Sequence, residues 1–220
     1  MTQTIDRLHE AISRRTQAER RDESGRGLIE AAISVVAEEG VSAATFEAIG
    51  RKAGYSRGLA TQRFGSKQAM IEAVINHLHE LHEALLTEHH IDQTPGFAAV
   101  LAYVDGYLRN LADREAGRAY FMLLSAAVAD ATPLRAAFAA EHERVKRRLE
   151  AVVRRGQAEG DIRSELDPAA AALMIGSLLL GLSMQLLVDP TTDLDPIRET
   201  SLATLRLSFG TQTDSKGRAP

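Results

Sequence analysis

The chain has 220 residues, 45% of them hydrophobic and 25% charged, a composition that excludes wholesale disorder and leaves room for one or two packed domains. The formal net charge is −4, so binding to nucleic acid has to come from a local cationic patch and not from the whole surface. Cysteine is absent, which excludes disulfides, thiolate metal ligands and a cysteine nucleophile; the N-terminal stretch MTQTIDRLHEAISRRTQAERR is too polar for a secretory signal, and a cytoplasmic protein is expected.

Ala and Leu dominate and aromatics are 5%, a mix that favours helices. Residues 1–25 are read as a flexible charged arm, because Asp22-Glu23-Ser24-Gly25 interrupts the pattern before any apolar periodicity begins. The first firm helix is expected over Arg26 to Glu39, with Leu28, Ile29, Ala32, Val35 and Val36 at helical spacing and Gly40 just past its end. Thr45 then stands as an N-cap with Glu47 in the first turn, and Gly54 can take the left-handed conformation that ends this short helix. Ser56 can cap a second short helix ending near Phe64.

No acidic residue lies between Glu47 and Glu72, whereas Arg51, Lys52, Arg57, Arg63 and Lys67 all do. A short cationic helix–turn–helix of this size fits a DNA major groove. Ser66 caps a longer helix from Lys67 to about Glu88. Beyond it, Thr94-Pro95, Thr132-Pro133, Asp167-Pro168 and Asp195-Pro196 each read as a cap followed by proline at the first helical position, and another helix runs from about Glu115. No segment alternates like a strand. The resulting fold class is all-α: a helix-turn-helix domain over 26–66, a helical body over 67–210, and a disordered tail over 211–220.

The segment LIEAAISVVAEEGVSAATFEAIGRKAGYSRGLATQRFGSKQAMIEAV resembles the TetR/AcrR family of one-component transcriptional regulators. The matching features are the helix with Gly40, then Thr45, Ile49, Ala53-Gly54, Ser56, Gly58, Phe64 and Ser66-Lys67, in order and at the family's spacing. The resemblance implies a homodimer that binds double-stranded operator DNA, most often as a repressor, and is released by a small-molecule effector held in the C-terminal body. By position it implies phosphate contacts from Thr45 and Lys67 and base reading by Arg57. Thr61, Gln62 and Arg63 would lie on the exposed side of the recognition helix, with Tyr55, Ser56 and Gly58 completing the DNA-facing set. The chain departs from the family where Thr61 replaces a usual tyrosine and Ala60 a usual leucine. From geometry alone, arginine can bond guanine and glutamine adenine bidentately.

The stretch Ala169 to Leu187 carries no charge and approaches the length of a membrane span. Its alanines, Gly176, Ser177, Gly181, Ser183 and Gln185 and its lack of flanking cations favour a helix buried on both sides, with no membrane partner. Leu173, Gly176, Leu180, Gly181 and Met184 of this helix, with Leu202 and Leu205 of the last, are expected to form a dimeric four-helix interface.

Five of the seven histidines fall between His77 and His90, but their spacing matches no HExxH pattern, so no metal site, catalytic residue or cofactor is expected. His82, Tyr103, Tyr107, Phe121, Phe138, His142, Met174 and Ser177 are expected instead to line an apolar effector cavity with a few polar groups. The competing readings are a helical metal-binding or enzymatic bundle, and a protein-interaction module that never touches DNA.

Overall fold

The computed structural model describes residues 17–88, 90–111, 114–129 and 134–211. Over these it is helical, and the only strand-like pairing among the described residues is an isolated antiparallel bridge between Ile162 and Gly210. The chain divides into two compact units, Met1–His77 and Leu78–Pro220.

In the N-terminal unit, α1 spans Gln17–Glu39, α2 Phe46–Ala53 and α3 Arg57–Phe64, and α4, Lys67–Glu88, crosses into the second unit. The expected arm is therefore helical from Gln17 onward, and Asp22 to Gly25 lie inside α1. Gly25 is buried there, so tertiary packing overrides its weak helix propensity. Residues 1–16 of the arm and 212–220 of the tail lie outside the described residues.

Leu28, Ala32, Val35 and Val36 of α1, Ile49 of α2, Ala60 of α3 and Met70 of α4 are buried. The turns between these helices form for local reasons. Thr45 Oγ1 accepts from Ala48 N at 3.1 Å, Gly54 ends α2 at φ 74°, and Ser56 Oγ accepts from Leu59 N at 3.2 Å. Ser66 Oγ accepts from Ala69 N at 3.1 Å and starts α4.

The C-terminal unit adds α5 (Gly96–Asn110), α6 (Arg114–Ala129), α7 (Leu134–Ala158), α8 (Pro168–Val188) and α9 (Leu194–Phe209). One core joins Val100, Tyr103 and Val104 of α5, Leu149 and Val153 of α7, Ile175 and Leu179 of α8, and Leu202, Leu205 and Phe209 of α9. Asp167 caps α8 as expected, its carboxylate accepting from Ala170 N at 2.7 Å with Pro168 in the first turn.

Two other starts differ from the Thr/Asp-Pro rule. Pro95 itself is the residue before α5, while Thr94 turns its hydroxyl to His90 O and Glu159 accepts from the Gly96 N–H, which has no intrahelical partner, at 2.6 Å. Helix α9 begins two residues earlier than Pro196, capped by Asp193, which accepts from Asp195 N. The start of α7 at Thr132-Pro133 lies outside the described residues.

Helix α8 is long and apolar enough to cross a membrane by length and composition, with a third of its most apolar window buried. At ~100° per residue its side chains sort into three faces. Ala171, Ile175, Leu179 and Leu186 enter the core. Leu173, Gly176, Leu180 and Leu187 face a cavity, and Met174, Gly181, Met184 and Val188 follow one another along an exposed stripe.

Candidate nucleic-acid interface and ligand cavity

The turn between α2 and α3 is tight because Gly50 has no side chain. A Cβ there would stand 3.0 Å from Tyr55 O and 3.2 Å from Arg57 N, so the backbones of α2 and the incoming α3 are in direct contact. The sequence reading did not single out Gly50; its signal is a glycine inside an amphipathic helix immediately before the turn.

This packing leaves Ser56, Arg57, Gly58, Thr61, Gln62 and Lys67 exposed. Arg57 and Gln62 make no side-chain hydrogen bond among the described residues, so both are available to base edges. Thr61 donates its hydroxyl to Arg57 O at 3.0 Å, which draws that short side chain back against its own helix. Lys67 Nζ donates to Ser42 O at 3.2 Å, and exposed Thr45 spends its hydroxyl oxygen on capping α2.

Two of the nine expected DNA-facing residues also pack against α1. The Arg63 guanidinium lies over Gly25 of α1, within 3 Å of where a Cβ would stand, so the helical extension of α1 gives it an intramolecular seat although the residue stays exposed. The half-buried Tyr55 ring packs over Gly27 of α1.

The C-terminal unit holds a half-open cavity of about 760 Å³ between α4, α5, α6, α7 and α8, within the size range of small-molecule sites. Of the residues expected to line it, His82, Tyr103, Tyr107, Phe121, His142 and Ser177 do. Phe138 does not: it is buried behind the wall, edge-on to His79 and Tyr120. Met174 does not either, being 47% exposed on the other side of α8. Leu173, Gly176 and Leu180, expected at a dimer interface, also border the cavity, and Leu173 is 60% exposed and so keeps surface for a partner. Leu202 and Leu205 are 7% and 2% exposed in the protomer's own core, which leaves them no surface to offer a partner; Leu207, 79% exposed, is the apolar residue that α9 presents.

Three polar pairs, drawn from α4 through α8, interrupt the apolar wall. Tyr103 Oη lies 3.4 Å from His82 Nε2, Tyr120 Oη lies 2.6 Å from His142 Nε2, and Tyr107 Oη lies 3.0 Å from Ser183 Oγ. His79, Tyr120 and Ser183 were missed in the sequence. His79 and Tyr120 carry the signal of polar residues at the border of an apolar stripe, and Ser183 that of a hydroxyl inside an uncharged helix. Among the described residues no three His, Asp or Glu side chains converge as a metal site.

Burial shapes the histidines' charge. It lowers the pKa of His79 to about 4, with Glu141 pulling the other way, and burial likewise lowers His82 and His142. A histidine whose folded pKa lies below its unfolded value binds fewer protons when folded, so stability is full above the unfolded value near 6.5 and falls as the pH drops toward 4. The thermal midpoint is therefore expected to fall between pH 7.5 and pH 5, and His79→Phe should flatten that fall; a midpoint equal at both pH values would contradict the burial of all three rings.

Comparison with known proteins agrees with this geometry. The family description "Bacterial regulatory proteins, tetR family" matches residues 28–74, and "BetI-type transcriptional repressor, C-terminal" matches residues 96–208. No curated protein sequence matches significantly. Among solved structures, a TetR-family transcriptional regulator from Rhodococcus sp. is 20% identical with a TM-score of 0.75, covering 86% of this chain and 100% of its own. A transcriptional regulator from Saccharomonospora viridis in complex with choline is 18% identical at a TM-score of 0.76, covering 87% of this chain and 100% of its own. SmeT, the repressor of the Stenotrophomonas maltophilia multidrug efflux pump SmeDEF, is 23% identical at a TM-score of 0.69, covering 89% of this chain and 95% of its own. With one description spanning the helix-turn-helix and another spanning more than half of the sequence, the chain belongs to the TetR family of bacterial transcriptional regulators.

Proposed function

We propose that the protein is a cytoplasmic repressor, without enzymatic activity, that binds a palindromic operator as a homodimer and releases it when a small, largely apolar effector fills the cavity. The observation that carries this reading is the 760 Å³ cavity with its apolar α8 wall and its tyrosine and histidine rim, in a chain that also carries a helix-turn-helix. Two structural neighbours support it by their descriptions, one in complex with choline and SmeT in complex with triclosan.

Helix α4 is the candidate transmitter, because one uninterrupted helix carries Lys67 at its start and His79 and His82 on the cavity wall. The homodimer is proposed on the exposed stripe of Met174, Gly181, Met184 and Val188 together with Leu207. Two recognition helices then read half-sites about 34–36 Å apart. A monomer in sedimentation at micromolar concentration would remove this interface.

An effector shifts operator binding only through unequal affinity for the two conformations, and the linkage is reciprocal. A compound from a thermal-shift screen that raises the midpoint is thus expected to weaken operator binding five- to 150-fold, about 1–3 kcal/mol of coupling. Operator DNA should weaken the compound by the same factor. A cavity-bound compound that leaves operator affinity unchanged would defeat this mechanism.

A further inference from the structure

Hydrogen-bond accounting inside the cavity specifies the chemistry of its occupant more closely than size does. His79 is 8% exposed, lies on the cavity wall, and is wedged edge-on between Tyr120 and Phe138. Its Nδ1 faces Glu141 Oε2 at 3.6 Å, while Nε2 is buried with no hydrogen-bond partner among the described residues. Glu141 is a carboxylate already paired with Arg144 at 2.7 Å. A carboxylate on the Nδ1 side favours the tautomer with its proton on Nδ1, which leaves Nε2 a bare acceptor.

Tyr107 offers acceptor capacity by another route. Ser183 gives its only proton to Leu179 O at 2.8 Å, so in the 3.0 Å contact between Tyr107 Oη and Ser183 Oγ the tyrosine must be the donor. Tyr107 Oη therefore offers the cavity lone pairs alone. Buried polar atoms without a partner are rare and costly, so His79 Nε2 asks for a donor, and Tyr107 Oη, already bonded to Ser183, can accept one further hydrogen bond.

We infer that the effector is an uncharged, hydroxyl-bearing apolar molecule whose O–H donates to His79 Nε2 or Tyr107 Oη while its hydrocarbon body lies against Leu173, Leu180 and Leu187 of α8. The inference rests on the cavity being the effector site. An anion gains nothing at these two acceptors, with Glu141 beside His79; the cations that border the cavity are Lys146, already paired with Glu143 at 2.6 Å, and the exposed Arg118. A cation gains little, because Arg144 already balances that carboxylate and burial strips its hydration.

The test uses the purified full-length protein and three biphenyl probes of matched body: 4-phenylphenol, its methyl ether 4-methoxybiphenyl, and 4-phenylbenzylammonium. Titration calorimetry is expected to show the phenol binding about tenfold tighter than the ether, the scale of one neutral hydrogen bond. His79→Phe keeps the ring packing and should reduce that preference to within about twofold if Nε2 is the main acceptor; otherwise the loss should appear in Tyr107→Phe. Nitrogen-resolved NMR of the wild type should place the His79 proton on Nδ1, a readout that does not depend on any variant folding.

Equal binding of phenol and ether, tighter binding of the ammonium, or a proton on Nε2 would each overturn the inference while leaving the cavity reading intact. Binding of none of the three probes would remove the cavity reading and the inference with it.

Discussion

Gly96→Ala is expected to destabilise the C-terminal unit by about 3 kcal/mol, toward the upper end of overpacking costs. Helices α5 and α7 meet at Gly96 and Gly156 with their backbones in contact: a Cβ on Gly96 would overlap the Gly156 backbone and stand 2.6 Å from Val152 O. No rotamer relieves a clash with main-chain atoms, so the two helices must separate, and Glu159 then loses its 2.6 Å bond to Gly96 N. The lower unfolded-state entropy of alanine returns about 0.4–1 kcal/mol, too little to offset this.

The crossing matters for function because α5 and α7 carry Tyr103, Tyr107, His142 and Leu149 of the cavity wall. A drop in the thermal midpoint of about 6–12 °C is the expected measurement for a chain of this size. Gly117→Ala is the control. Nothing lies within 4 Å of its added Cβ, and its helical position should make it neutral or slightly stabilising. A Gly96→Ala midpoint equal to that of the wild type would mean that α5 and α7 do not cross in contact.

What could be read from the sequence divides along a physical line. Caps and turns are local chemistry: Thr45, Gly54, Ser56 and Ser66 each do what their type and spacing imply, so α2, α3 and the start of α4 were recoverable to the residue. The apolar periodicity of α9 was equally plain, but periodicity shows which residues are apolar and not which side of the helix a second element covers. Leu202 and Leu205 went to the core and Leu207 to the surface for that reason.

Helix α8 is the extreme case. With no charge from Ala169 to Leu187 the sequence carries no sign of its rotation: Met174 is on the exposed stripe and not in the cavity, and Gly176 and Leu180 border the cavity, as does Leu173 with much of its side chain still exposed. The N-terminal part of α1 was missed because Asp22-Glu23-Ser24-Gly25 looks like a break until the neighbours of Gly25 and Gly27 are known. Each leaves room for a side chain from the helix-turn-helix, Arg63 over one and Tyr55 over the other. The same pairing accounts for the seat of Arg63 on α1, which no single-helix pattern could show.

That seat separates the cationic residues into roles that DNA binding can distinguish. Arg57→Ala is expected to weaken binding to a duplex selected from random DNA by the wild-type protein by about ten- to 100-fold, and to relax the preference at one base pair, since a bidentate arginine–guanine pair is worth about 1–3 kcal/mol. Arg57 is exposed and without a side-chain partner among the described residues, so the thermal midpoint should stay within about 1 °C of the wild type. Lys67→Ala should behave differently: a phosphate contact weakens all sequences alike and lowers the slope of log K against log salt by about 1.

The 3.2 Å bond from Lys67 to Ser42 O is the native-state cost of that exchange, and it is weak enough at an exposed site to give way to a phosphate. Arg63→Ala should change neither base preference nor salt slope, because its guanidinium sits on α1 at Gly25. Anisotropy titrations at three salt concentrations measure all of these quantities together. An Arg57→Ala protein with unchanged affinity and base preference would move the reading head off the start of α3. An Arg63→Ala protein that loses base preference would show that its seat on Gly25 opens when DNA binds.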